Sequence, residues 1–149
     1  MFLGHTGFDE FFHFFKRIPG DGAGLFEVEH FVGVFLAALL LPAGYAALCA
    51  GVGSALSDLI GFPLYAPVTF AVKGLAALLF SLLWRKLPGK LRYLAFLAVL
   101  IVPLGYFLFE IFVYAEFAWA DVPMNLLQAS VGAALALLIE RLTKGRFSV

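Results

Sequence analysis

Three charged side chains, Asp58, Lys73 and Glu110, fall well inside otherwise apolar runs of this 149-residue chain. Each has polar company at helical spacing. Ser54 stands one turn before Asp58; Tyr65, Thr69 and Lys73 repeat every four residues, as do Tyr106, Glu110 and Tyr114; Asn125 and Gln128 are three apart. Residues three and four apart share a helix face, so each group is one polar stripe on its helix. An ionisable group inside a membrane helix costs about 2.5–3.5 kcal/mol on insertion scales and is a functional candidate by default. A cation, two carboxylates, phenols and amides among apolar side chains are the chemistry of holding a small polar ligand. The rings offer stacking surface, and the polar groups fix orientation.

The same residues give no sign of catalysis. There is no Walker A loop, nucleophile elbow, HExxH run or paired-carboxylate arrangement, so the chain reads as neither an ATPase nor any other enzyme, with no cofactor. His5 and His13 share no helix face with another ligand type, and His30 beside Glu29 reads as a cap or surface position. No metal cluster is expected.

The elements that must carry these stripes are membrane helices. The chain is 63% hydrophobic and 13% charged, against about 45–50% and about a quarter in soluble domains. Ten acidic residues balance ten basic ones, which excludes a basic nucleic-acid binder. The single Cys49 excludes a disulfide framework. Five apolar stretches lie between proline and glycine punctuation: about His30 to Leu41, with Leu25 to Glu29 as a possible extension, then Tyr45 to Ile60, Ala66 to Trp84, Leu91 to Tyr114 and Val122 to Leu142. Lipid offers no partners to free backbone groups, so each should be helical. The expected fold is an all-α membrane protein, a bundle of five transmembrane helices spanning residues 25–149.

Residues 1–24 read differently. Phe8, Phe11, Phe12 and Phe15 follow i, i+3, i+4, i+7 spacing with Asp9, Glu10, His13, Lys16 and Arg17 between them. This amphipathic stripe suits a helix lying in the headgroup region. Seven of the ten Lys and Arg residues gather at two places: Arg85, Lys86, Lys90 and Arg92 in one loop, and Arg141, Lys144 and Arg146 after the last span. The positive-inside rule makes that side, and the C-terminus, cytoplasmic. Acidic Glu116 and Asp121, with Asp21, Glu27 and Glu29, fall on the opposite side.

Counted from the acidic side at ~1.5 Å per residue, all the stripes lie in the outer half of the membrane, and the inner halves are nearly pure Leu, Ala, Val and Phe. A single polar cavity, open outward, accounts for them, whereas a channel needs polar groups along its whole path. Blander readings stand beside this one. Lys73 with Glu110 or Asp58 would serve equally as a structural ion pair. Tyr65, Tyr106, Tyr114 and Trp119 would fit an aromatic belt, and Asn125 and Gln128 would fit interhelical glue. A structural membrane protein and an autonomous secondary transporter are the two alternatives to a binding subunit. Rows of small residues, Ala43, Ala47, Gly51 and Ala55, Gly33 and Ala37, and Ala129 and Ala133, mark close helix approach, either within the bundle or against another subunit.

The stretch Gly51-Val-Gly-Ser-Ala-Leu-Ser-Asp-Leu-Ile-Gly-Phe-Pro-Leu-Tyr-Ala-Pro-Val-Thr-Phe-Ala-Val-Lys-Gly-Leu75 resembles the substrate-binding S components of energy-coupling factor (ECF) transporters. So do Gly105-Tyr-Phe-Leu-Phe-Glu110 and Pro123-Met-Asn-Leu-Leu-Gln128, in the expected order, and the resemblance covers about residues 26 to 142. It implies a vitamin- or precursor-binding subunit of an ABC importer in a prokaryotic cell membrane. Its partners would be a transmembrane coupling protein and two ATPase subunits. Carried onto this chain, the pocket draws on Tyr65, Thr69, Lys73, Tyr106, Glu110, Asn125 and Gln128, with Asp58 nearby. Members of the family typically have six spans; here the Phe-rich segment stands where a first helix would be.

Overall fold

The computed structural model describes residues 23–114, 118–119 and 121–144. The amphipathic segment expected over residues 1–24 therefore lies almost wholly outside the described residues. Every regular element is helical: α1 (Ala23–Leu40), α2 (Ala43–Gly61), α3 (Ala66–Lys86), a 3-10 helix (Gly89–Leu100) running into α4 (Ile101–Tyr114), and α5 (Val122–Lys144). Among the described residues, four stretches are long and apolar enough to cross a membrane: Ala43–Gly61, Ala66–Lys86, Gly89–Val113 and Val122–Thr143. α1 is 18 residues long, including a shorter apolar segment, Glu29–Leu40. The extension upstream of His30 is thus part of that helix.

The breaks follow the punctuation. Pro42 sits at φ −55 and ψ 147 just before α2. A proline also stands in the first turn of α3, where its missing N–H costs no helical bond. Leu87 is extended at φ −86 and ψ 130, as a residue before proline prefers, and this ends α3. Gly89 then takes φ +54, a left-handed turn that L side chains resist, and the chain reverses into the fourth span.

That span differs from expectation in its lower half. Residues 89–100 form a 3-10 helix of 12 residues, and α-helix begins only at Ile101. Pro103 has no N–H to offer the carbonyl of Val99, so an i+4 bond is lost where the two helix types join. At ~2.0 Å per residue this segment alone rises ~24 Å. Glu110 is thereby carried to the far end of the bundle.

α3 is the central helix and packs on α1, α2, the 3-10 helix and α4, while α5 lies along α1. The core is built from small and aromatic side chains. Ala76, Ala77, Ala95, Ala133 and Ala136 are fully or almost fully buried, with Phe35 and Phe80 between them. The Phe35 and Phe80 rings lie 5.2 Å apart, and Phe80 meets Phe96 edge-on at 5.3 Å. Large aliphatics such as Leu48, Leu56, Leu97 and Leu138 point outward. In lipid, bringing apolar side chains together earns no hydrophobic gain, so close packing between small residues holds the helices. Gly132 shows this most sharply: a Cβ there would lie 2.4 Å from Cβ of Phe31 and 2.9 Å from its backbone carbon. The Ala129 and Ala133 row faces into the bundle, whereas Gly33 on α1 is exposed, and a Cβ added there would meet nothing within 4 Å.

The half nearer the basic loops is less purely apolar than expected. Ser81 and Glu140 are buried there, at 0% and 3% exposure. Arg85 Nη2 donates to the carbonyl of Leu41 at 2.7 Å and to that of Leu39 at 3.4 Å, while its Nε donates to Ser81 Oγ at 3.2 Å. These bonds satisfy carbonyls that the end of α1 leaves without helical partners. A stretch of leucine, alanine, valine and phenylalanine concealed the need, because the unpaired groups belong to the backbone.

Candidate binding site

The polar stripes converge at the end of the bundle opposite the basic loops. Thr69, midway along the α3 stripe, is completely buried. Its hydroxyl donates to Asp58 Oδ2 on α2 and lies 2.8 Å from the Tyr106 hydroxyl on α4. A threonine hydroxyl has one proton. With that proton given to Asp58, the Tyr106 hydroxyl is the donor to Thr69. A directed chain therefore runs from Tyr106 through Thr69 to Asp58 and ties three helices together.

A second set sits beside it. Tyr65 OH donates to Glu110 Oε1 at 3.4 Å. The carboxyl groups of Glu110 and Asp121 lie near enough to interact with each other. Burial pushes the Asp121 carboxyl above its ordinary range, and the interaction with Glu110 pulls part of the way back. Glu110 and Asp121 are 11 residues apart, one on α4 and one just before α5, and no local spacing signals their meeting. Asp121 is the polar residue of the site that the stripes did not include.

Rings frame both sets. Tyr65 and Tyr106 lie 6.3 Å apart, Tyr65 meets Phe109 edge-on at 5.4 Å, and Phe107 packs on Trp119 at 4.2 Å. Lys73 is 8% exposed, one turn below Thr69, with Nζ 4.7 Å from the centre of the Phe31 ring on α1. Such a contact is an attraction between the ammonium and the negative face of the ring. The carboxylate contacts described for Asp58 and Glu110 are with Thr69, and with Tyr65 and Asp121, respectively. Gln128 on α5 is buried at 5%. Asn125 is half-buried, and its backbone N–H donates to the Asp121 carbonyl at 2.9 Å in the first turn of α5. The side chain of Tyr114 lies outside the described residues.

Of the expected residues, the structure thus joins Asp58, Thr69 and Tyr106 in one chain of bonds and Tyr65 with Glu110 in another. Lys73 is set one turn below, and Asn125 and Gln128 enter on α5. Phe107 and Phe109 were expected as stacking surface beside the tyrosines, whereas Phe31 and Asp121 were not singled out. Phe31 belongs to an apolar run, where aromatic residues are too common to be a signal.

The comparison with protein families is decisive here. A family model described as "ECF-type riboflavin transporter, S component" matches residues 12–144. The chain belongs to that family. No curated protein and no solved structure matches it. As an S component it is the substrate-binding subunit of an ECF transporter, a part of a transport system and not an enzyme. Its partners are a small-molecule vitamin substrate and an ECF module of ATPases and coupling protein. With four helices among the described residues long and apolar enough to span a bilayer, it is a multi-pass membrane protein.

Proposed function

We propose that this S component binds a riboflavin-like compound at the acidic end of its bundle, in the outer half of the membrane, with the C-terminus in the cytoplasm. The observation that carries the reading is the meeting of aromatic faces with two hydrogen-bonded polar sets at one level of the bundle. A flavin is a flat, electron-poor ring system with imide and carbonyl groups at one edge and a chain of hydroxyls. Tyr65, Tyr106 and Phe109 offer the ring stacking and edge contacts. Asp58, Glu110 and Asp121 accept from imide and hydroxyl protons, and Lys73 donates to carbonyl oxygens. Asn125 and Gln128 supply both donors and acceptors from α5. Few polar groups on apolar walls are the usual make-up of a small-molecule site.

Mass spectrometry of ligand co-extracted with the purified protein tests the assignment, together with quenching of riboflavin fluorescence on titration. A co-purified flavin, and quenching that saturates near one equivalent, support it. Identification of a different vitamin would move the substrate and leave the family intact. The structural alternative has its own basis: Tyr106, Thr69 and Asp58 already satisfy one another. In that case substitution of Thr69 lowers thermal stability, and no nutrient protects the protein against heating.

A further inference from the structure

The basic end of the bundle carries a second built feature, independent of what the acidic end binds. Arg92 Nε donates to the carbonyl of Gly89 at 3.0 Å, and its guanidinium lies 5.5 Å from the centre of the Trp84 ring. Arg141 Nη2 donates to the Tyr93 hydroxyl at 2.6 Å, with its guanidinium 5.8 Å from that ring. Trp84 and Tyr93 meet edge-on at 5.6 Å. Two arginines from different helices are thus steadied on one aromatic pair. The hydrogen-bond partners described for them are a backbone carbonyl and a phenol, neither of which carries charge. Their positive charge is oriented and not neutralised by these partners.

From Tyr93 an open groove of about 370 Å³ runs between the 3-10 helix and α5, with Leu94, Leu97, Leu100 and Leu126 along its walls. It reaches along α5 from Ala134 to Leu126, ~12 Å at helical rise. Tyr93 stands at its basic end and Ser130 of α5 partway along, and the remaining lining is apolar. A cleft left empty there would forfeit dispersion contacts along its whole lining.

We infer that this groove binds an anionic phospholipid, one acyl chain lying between the 3-10 helix and α5 and the phosphate held by Arg141 and Arg92. Charge and lining both favour that occupant. A guanidinium matches phosphate oxygens in a two-pronged geometry, and a flexible acyl chain suits the largely apolar walls of the groove. A second copy of the protein would set a like-charged rim against this one.

Trp119→Phe leaves Trp84 as the sole tryptophan, since the chain has two. This variant is placed in phosphatidylcholine vesicles containing a minor fraction of either phosphatidylglycerol or phosphatidylcholine brominated near the carboxyl end of the chain. Bromine quenches tryptophan on contact. The anionic lipid is expected to quench Trp84 at roughly fivefold lower mole fraction than the zwitterionic one. R92Q and R141Q together should abolish the preference at unchanged melting temperature. R92K with R141K, which keeps the charge, should retain most of it. Ala134→Phe, which fills the groove, should weaken quenching by both lipids. Equal quenching by the two lipids overturns the inference. So does a preference that survives R92Q/R141Q, or a groove shielded from both lipids and cross-linked to a second copy.

Discussion

Thr69 is the residue on which the acidic-end network turns. Replacing it with valine keeps the shape and leaves a half-buried carboxylate and a buried phenol without the partner between them. Losses of this kind cost about 1–3 kcal/mol, so Thr69→Val should lower the melting temperature by several degrees, as read by thermal unfolding in detergent. Lys73→Ala and Glu110→Gln should each weaken flavin binding by about tenfold or more, equivalent to about 1.4 kcal/mol, as fluorescence titration would show. Unchanged affinity in both would remove them from the pocket. Asp121 makes a pH prediction with a definite sign. Burial raises its carboxyl in the folded state, so the folded protein binds this proton more tightly than the unfolded chain. Stability from this group is present in acid and is lost as pH rises out of the ordinary carboxylate range. Asp121→Asn should therefore stabilise the ligand-free protein near neutrality relative to wild type, with the difference shrinking toward acid. Charge, helical spacing and depth were enough to pick out Asp58, Thr69, Tyr65, Tyr106 and Glu110. They could not pick out Asp121, because a carboxylate beside a turn looks like any solvated acid until the fold places another against it.

Among the helices, close approach is the controlling requirement. Gly132 on α5 leaves no room for a side chain against Phe31 on α1, so Gly132→Leu should overpack this contact at about 1–3 kcal/mol. Gly33→Leu on the exposed side of α1 is the matched control and should leave the melting temperature nearly unchanged. Sequence alone placed Gly33 with Ala37, and Ala129 with Ala133, in small-residue rows and did not single out Gly132, and either row could face the bundle or lipid. The rotation of each helix about its axis made the distinction, and that rotation is a property of the packed set. The lower half of the fourth span carries the same lesson. Its composition reads as an unbroken apolar helix, yet it forms a 3-10 segment below Pro103. A proline predicts a disturbed join, but not how many residues on its far side will wind more tightly.

For the whole molecule, membership of the ECF family makes binding and transport separable. The purified chain alone in liposomes should bind its vitamin without accumulating it. Adding the ATPases and coupling protein should give uptake that stops when ATP is withheld, as followed by trapped flavin. Accumulation by the chain alone would instead revive an autonomous transporter. What the sequence determined by itself was the solvent and the class: 63% hydrophobic residues, charges sorted into loops, and breaks at Pro42, Gly61 and Pro88 already require membrane helices, because lipid leaves the backbone no other way to satisfy its hydrogen bonds. Its polar stripes also marked the helices whose polar side chains meet at the acidic end. Only the tertiary structure decided who meets whom. It joined Asp58 to Tyr106 through Thr69, set Glu110 against Asp121, and opened a groove beside Arg92 and Arg141. Periodicity constrains one helix at a time, whereas each of these arrangements depends on how two or three helices are turned toward one another.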